Sequence, residues 1–302
     1  MDDIDFNDIR YKISKNRIPE KLLSSIRSWG VLEDPVVIST DSRFIVLSGH
    51  NRLSVLREIG IGETNCRVAS KFNPDDFLKN AALKHLQGEI GPVGRIKLLL
   101  TACEQAPHRI EELILMACRE FNVPEFISRD ADVMRKAVEL PQNLRDYSDT
   151  RDIAYKTLRE LVLLPAEAIE IIASWVDSIN FRMNIFRDIV EILNDISKRD
   201  ETLAPVRNIN LTELEDPRGR ENLVLGFLKE LRYPEYSKSR QRAEIIISSL
   251  RGKGFTVDFP QYFEGDTIGI GLSVAKREGA GGLKKKLEQL DIPAVQNLLD
   301  LL

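Results

Sequence analysis

The chain has little with which to form disulfides, bind zinc or cross a membrane. Its three cysteines, Cys66, Cys103 and Cys118, have no close paired spacing, which excludes a disulfide framework and a zinc ribbon. Histidine is as scarce: His50, His85 and His108 are far apart and form no H-x-x-x-H pair, so no protein metal site is expected. No run approaches the ~18 apolar residues of a membrane span. Met1 leads into Asp2-Asp3-Ile4-Asp5 instead of a basic segment and an apolar core. The expectation is a reduced, cytoplasmic protein with no signal peptide and no membrane association. Neither charge sign dominates, with 43 Lys and Arg against 47 Asp and Glu and a formal net charge of -4. That balance does not announce a nucleic-acid partner, although local basic surfaces are compatible with it. Heptads and short repeats are also missing.

What is present is enough apolar sequence, 43% of 302 residues, to bury sizeable cores in more than one domain. Residues 1–72 switch between two periods. "DIRYKI" alternates as a short strand, and "RIPEKLLSSIRSWG" reads as a helix with Pro19 in its first turn, Leu22, Leu23 and Ile26 on one stripe, and Gly30 as its stop. "EDPVVIST", "SRFIVLSG" and "TNCRVAS" supply three strands, with Asp41-Ser42 turning between the first two and a helix over His50–Ile59 between the last two.

Residues 73–200 read as an all-helical domain, with helices over Pro74–Leu86, Pro92–Glu104, His108–Phe121, Pro124–Val138, Pro141–Tyr147, Arg151–Leu163, Pro165–Val176 and Phe181–Ile196. Prolines repeatedly mark the starts, where a missing N–H is tolerated. Residues 201–217 form a polar connector. Residues 218–302 read as a small α/β domain: helices over 218–231 and 237–250, strands in "GFTVDFP" and "TIGIGLSV", and a glycine-lysine turn "REGAGGLKKKLEQL" entering a last helix. The predicted class is α+β and multidomain.

The cluster Ser48-Gly49-His50-Asn51-Arg52 stands where a strand hands over to a helix. A helix entering directly after Ser48-Gly49 presents unpaired N–H groups, and the glycine lets an anion approach them. Arg52, in the first turn, adds a bidentate, charge-assisted donor suited to phosphate. A packed turn accounts for the same residues: Ser48 or Asn51 satisfies local backbone, Gly49 relieves the turn and Arg52 faces solvent. The residues alone leave both readings open.

The longer stretch "RIPEKLLSSIRSWGVLEDPVVISTDSRFIVLSGHNRLSVLREIG" resembles the N-terminal domain of the ParB and sulfiredoxin superfamily, over about Ile9 to Val68. The resemblance implies a nucleotide-binding fold in which Ser48, Gly49, His50, Asn51 and Arg52 contact phosphates and Gly30-Val31 contribute to the nucleotide pocket. His50 stands where the reductases carry cysteine and ParB clamps commonly carry an acid, so neither chemistry transfers directly. "DDFLKNAALKHLQGEIGPVGRIKLLL" resembles the helices that follow the ParB nucleotide domain, which implies that Asn80 joins the site with Lys84 or His85 as the nearby basic residue. "RIEELILMACREFNVPEFISRDADVMRKAVELPQNL" resembles a degenerate helix-turn-helix, and "TRDIAYKTLRELVLLP" the helix after it. A DNA-reading helix around Glu125–Ala137 would offer Arg129, Arg135 and Lys136, against the acidic Glu125, Asp130 and Asp132. Arg145, Arg151, Lys156 and Arg159 offer a further positive face.

The resemblance implies a ParB-like, nucleotide-regulated DNA-associated protein, homodimeric, binding CTP, ATP or another nucleoside triphosphate with Mg2+, with or without hydrolysis. One alternative is an ATP-dependent small-substrate kinase or ATPase with His50 as its acid/base group. Another is an interaction scaffold that has lost catalysis and binds a protein partner. The acidic start, Asp2, Asp3, Asp5 and Asp8, reads as a solvated extension.

Overall fold

The run from Pro35 to Ala69 alternates β-branched residues with a glycine turn and a short amphipathic segment, and it folds as a small sheet covered by helices. The computed structural model describes residues 3–13, 15, 18–40, 43–200, 203–207, 209, 216–260, 263–275 and 279–302. Helix α1 (Glu20–Trp29) precedes β1 (Val36–Ser39) and β2 (Phe44–Ser48), and α2 (His50–Glu58) leads to β3 (Arg67–Ala69). The sheet order is β2-β1-β3, with β1 antiparallel to β2 and parallel to β3. The register pairs Val37 with Val46 and Val68, so β1 is the hub. Ile26 of α1 and Leu53, Val55 and Leu56 of α2 close over Val37 and Val46. Each such buried side chain contributes about 1.5–3 kcal/mol. The predicted Asp41-Ser42 turn lies outside the described residues.

Two expectations for this region are corrected. From Asp3 onward the acidic start is not a solvated extension, and Asp2 lies outside the described residues. Ile4 bridges to Phe44, the Asp5 N–H donates to the Phe44 carbonyl at 2.9 Å, and the Phe44 N–H donates to the Asp3 carbonyl at 2.8 Å, so the segment covers the β2 edge. "DIRYKI" is a turn, closed by the Lys12 N–H on the Ile9 carbonyl at 2.9 Å. Its alternation is real, since Tyr11 and Ile13 are buried, but Tyr11 stacks on Phe72 (5.0 Å between ring centroids) instead of joining a ladder.

The helical run contains α3 (Pro74–Leu86), α4 (Pro92–Gln105), a 3-10 turn at Pro107–Arg109, α5 (Ile110–Glu120), α6 (Glu125–Ser128), α7 (Ala131–Glu139) and α8 (Gln142–Arg151). It continues through α9 (Tyr155–Val162), α10 (Ala166–Val176), α11 (Met183–Arg199), α12 (Ala204–Arg207) and α13 (Pro217–Arg232). The predicted helix over 124–138 is two helices, because Asp130 caps α7 by accepting the Val133 N–H at 3.1 Å. Arg151 ends a helix instead of starting one, since Asp152 turns left-handed at φ 50. Helix α4 is the axis of this part, packed against α3, α5, α7 and α8. Its start is held by Asp149, whose Oδ1 accepts the Val93 and Gly94 N–H groups at 2.8 and 3.2 Å.

The chain divides into two compact units, Met1–Leu225 and Gly226–Leu302, so the regions 1–72 and 73–200 belong to one unit. Of the connector 201–217, residues 201, 202, 208 and 210–215 lie outside the described residues. The second unit holds α14 (Pro234–Gly252), the antiparallel pair β4 (Phe255–Asp258) and β5 (Gly269–Leu272), α15 (Gly279–Glu288) and α16 (Ile292–Leu299). Its core gathers Ala243, Ile247, Leu250, Phe255 and Leu298. Helix α15 begins inside the glycine run that was expected to be a turn, and α16, capped by Asp291, has no counterpart among the expected elements. The whole is α+β and mostly helical.

Candidate functional site

At the end of β2, Ser48 is buried, and Gly49 takes a left-handed conformation (φ 95) that lets α2 begin at His50. A side chain at Gly49 would be doubly penalised, by its φ and by a Cβ standing 3.0 Å from both Pro35 Cα and Cβ. Gly49 brings no side-chain acceptor to the first amides of α2. Ser48, Gly49, His50, Asn51 and Arg52 line a cleft of about 110 Å³ together with Asn80 and Lys84 of α3. The structure therefore brings Asn80 to the glycine turn, and of the two basic residues near it, it is Lys84 that lines the cleft. His85 instead sets its ring against Phe121, with centroids 5.6 Å apart. Asn80 also lines an adjoining cavity of about 260 Å³ with Phe72, Phe77, Arg67 and Lys71.

Gly30 and Val31 do not reach this cleft. They line a separate cavity of about 780 Å³ with Asp34, Cys66 and Val68. Sequence reasoning missed Glu33, which does reach it. Arg52 donates from Nη1 to the Glu33 carbonyl and from Nη2 to the Glu33 carboxylate, so the expected phosphate grip already holds an anion of the chain itself. No short motif links Glu33 to Arg52; only the packing of the loop after α1 against α2 joins them.

Burial pushes the Lys84 ammonium below the ordinary lysine range; Glu89 opposes this and Arg52 adds to it. His50 falls furthest, to about 3, first through burial and then through Lys84, Lys12 and Lys97. Its Nε2 is buried without a hydrogen-bond partner. At neutral pH this imidazole is uncharged and several powers of ten too weak a base to serve near pH 7, which weighs against the acid/base role expected of it. The unfolded chain binds a proton here below about pH 6.5 that the folded chain refuses until about pH 3, so stability falls as pH falls through that window. We expect His50→Asn to remove from the urea-unfolding profile a slope of up to about 1.4 kcal/mol per pH unit. Parallel wild-type and variant profiles would show that the imidazole is not desolvated.

No family model, curated protein or solved structure matches the chain.

The residues expected to read DNA are spread over α6 and α7 and largely engaged. Arg129 pairs with Glu125 at 2.6 Å and Glu111 at 3.1 Å, and Lys136 pairs with Asp132 at 2.8 Å. Arg135 is exposed and has no ion pair among the described residues. Among the described residues no group of three His, Cys, Asp or Glu side chains is arranged to hold a metal. No helix among them is long and apolar enough to cross a membrane.

Proposed function

We propose that this chain is a ParB-like, nucleotide-regulated DNA-associated protein whose first unit binds a nucleoside triphosphate, CTP or ATP. One observation carries the reading: the Ser48–Arg52 turn, Asn80 and Lys84, separated by about 30 residues of sequence, meet on a single cleft. The 110 Å³ cleft is below the ~300–1,000 Å³ of pockets that engulf a whole ligand, and is sized for phosphate. The adjoining 260 Å³ cavity, with Phe72 and Phe77 in its wall, offers apolar and aromatic surface for a base. Mg2+ would bind mainly through phosphate and water oxygens, and Glu33 and Glu89 are the carboxylates in the cleft wall that fit it. When bound it would supply charge neutralisation between phosphates.

In this reading residues 1–72 form the nucleotide domain and 73–200 the DNA-associated part. The protein binds and releases nucleotide as a switch that favours one arrangement over another, which requires different affinities in the two. The weakly basic His50 favours binding over a His50-driven phosphoryl transfer. In this reading the protein acts as a homodimer.

Calorimetry with CTP, ATP and GTP, each with Mg2+, tests the site. Arg52→Ala is expected to weaken triphosphate binding by at least roughly 1 kcal/mol, because a charged bidentate donor is lost. Equal affinity in a folded variant would remove Arg52 from the site, and absence of binding to the wild type would remove the nucleotide.

A further inference from the structure

A second basic cluster lies apart from the cleft, where the turn around Lys12 meets α4 and α8. Lys12, Lys97 of α4 and Arg145 of α8 line one small opening with Gln142, Asp146 and Asp149. None of the three cations forms an ion pair among the described residues. Lys97 Nζ donates to the Ile9 carbonyl at 2.5 Å. Arg145 donates to the Val138 carbonyl at 3.1 Å and to Gln142 Oε1 at 2.6 Å, while its Nε is buried without a partner. The Lys12 side chain has no hydrogen bond among the described residues.

Each nearby carboxylate already has partners. Asp149 holds the α4 amides, Asp8 pairs with Arg10 at 2.8 Å, and Asp146 accepts from Gln142 at 2.9 Å while offsetting part of the Lys12 charge. Burial, with repulsion from Arg145 and Lys12, holds Lys97 down to about 8. Three cations face two carboxylates, Asp146 and Asp149, on this opening, so a net positive charge remains there and an anion entering among the cations relieves it.

We propose that this opening is a phosphodiester-contact site, through which Lys12, Lys97 and Arg145 grip the backbone of a nucleic acid. It rests on the DNA-association reading above and moves the contact from α6 and α7, where Arg129 and Lys136 are already paired, to the junction of the Lys12 turn with α4 and α8. The opening has about 40 Å³ of room, little more than the ~30 Å³ share of one water, so it admits a single anionic oxygen and no nucleotide. Such contacts fix position without reading sequence.

The test is duplex-DNA binding by the full chain over a salt series, in the wild type, Lys12→Gln, Lys97→Gln and the Arg129→Gln/Lys136→Gln double variant, with thermal midpoints recorded with and without inorganic phosphate. Lys12→Gln is expected to weaken binding about five- to tenfold near 0.1 M salt and to reduce the salt slope by about 0.9, whatever the duplex sequence. Its midpoint should be unchanged or raised, because a like-charge repulsion is gone, whereas a purely structural lysine would lower it. The Arg129→Gln/Lys136→Gln variant should keep the wild-type slope. Unchanged affinity and slope in both folded lysine variants would overturn this site and leave the DNA reading standing. A wild type that binds no duplex would overturn both, and a Lys12-dependent rise in midpoint with inorganic phosphate would then assign the opening to the free anion.

Discussion

Gly94→Ala is expected to destabilise the Met1–Leu225 unit by at least about 3 kcal/mol, or to prevent its folding. Gly94 lies in the first turn of α4, where alanine would ordinarily be favoured by about 1 kcal/mol. Here its Cβ would stand 2.3 Å from the Ile13 carbonyl oxygen and 2.9 Å from Ile90 Cγ2. Gly91, just before the helix, is as confined, with a Cβ falling 2.4 Å from Asp149 Cα. In both cases backbone must move, and a core packed near crystal density has no slack to give. Gly226→Ala is the control: this exposed glycine in α13 has nothing within 4 Å of its added Cβ, and its variant should gain about 0.5–1 kcal/mol. Urea unfolding followed by far-UV circular dichroism reads both. A wild-type midpoint for Gly94→Ala would mean that α4 does not press on the Ile13 backbone.

Asp149→Ala should cost about 2–4 kcal/mol, since two buried N–H groups lose their shared acceptor at a helix start. Asp149→Asn keeps an acceptor oxygen and should lose less, about 1 kcal/mol. The pH profile separates charge from geometry. Burial pushes the Asp149 carboxyl up to about 6, against the two backbone N–H bonds that favour its ionised form. A carboxyl raised on folding binds its proton more tightly in the folded chain, so its contribution is greatest below about pH 4 and declines as pH rises to about 6. The slope is opposite to that of His50, and the two oppose each other between those pH values. Subtracting the Asp149→Asn profile from the wild type isolates the carboxyl; a flat difference would show that the N–H bonds cancel burial, and a reversed slope that they outweigh it.

The sequence was most legible where one residue type carries a local cause. Pro74 and Pro92 stand at the first positions of α3 and α4, and "VVIS" and "FIVLS" form adjacent strands, because those choices follow from the backbone of the residue itself. Asp130 is itself a local signal: a capping acid inside an apolar stripe splits α6 from α7. Asp291 likewise announced α16. What could not be read depends on distant partners. Tyr11 mimics a strand residue because it meets Phe72, and Gly91 and Gly94 matter because of Asp149 and Ile13. The candidate site divides the same way. Its glycine turn is local and was visible, whereas the arrival of Lys84 and Glu33, and the burial of His50 among lysines, are products of packing.

The contact between Arg52 and Glu33 changes the arithmetic of any anion that enters the cleft. Such a ligand does not add to a vacant cation; it exchanges with a resident carboxylate. Glu33 is largely exposed, so the pair it forms is worth only about 0–1 kcal/mol, and competition lowers the apparent affinity at most about fivefold. The exchange also conserves charge at Arg52: one negative group arrives as another lets go of it. The cleft therefore never presents a bare guanidinium, and ligand release is assisted by a competitor tethered within the same chain.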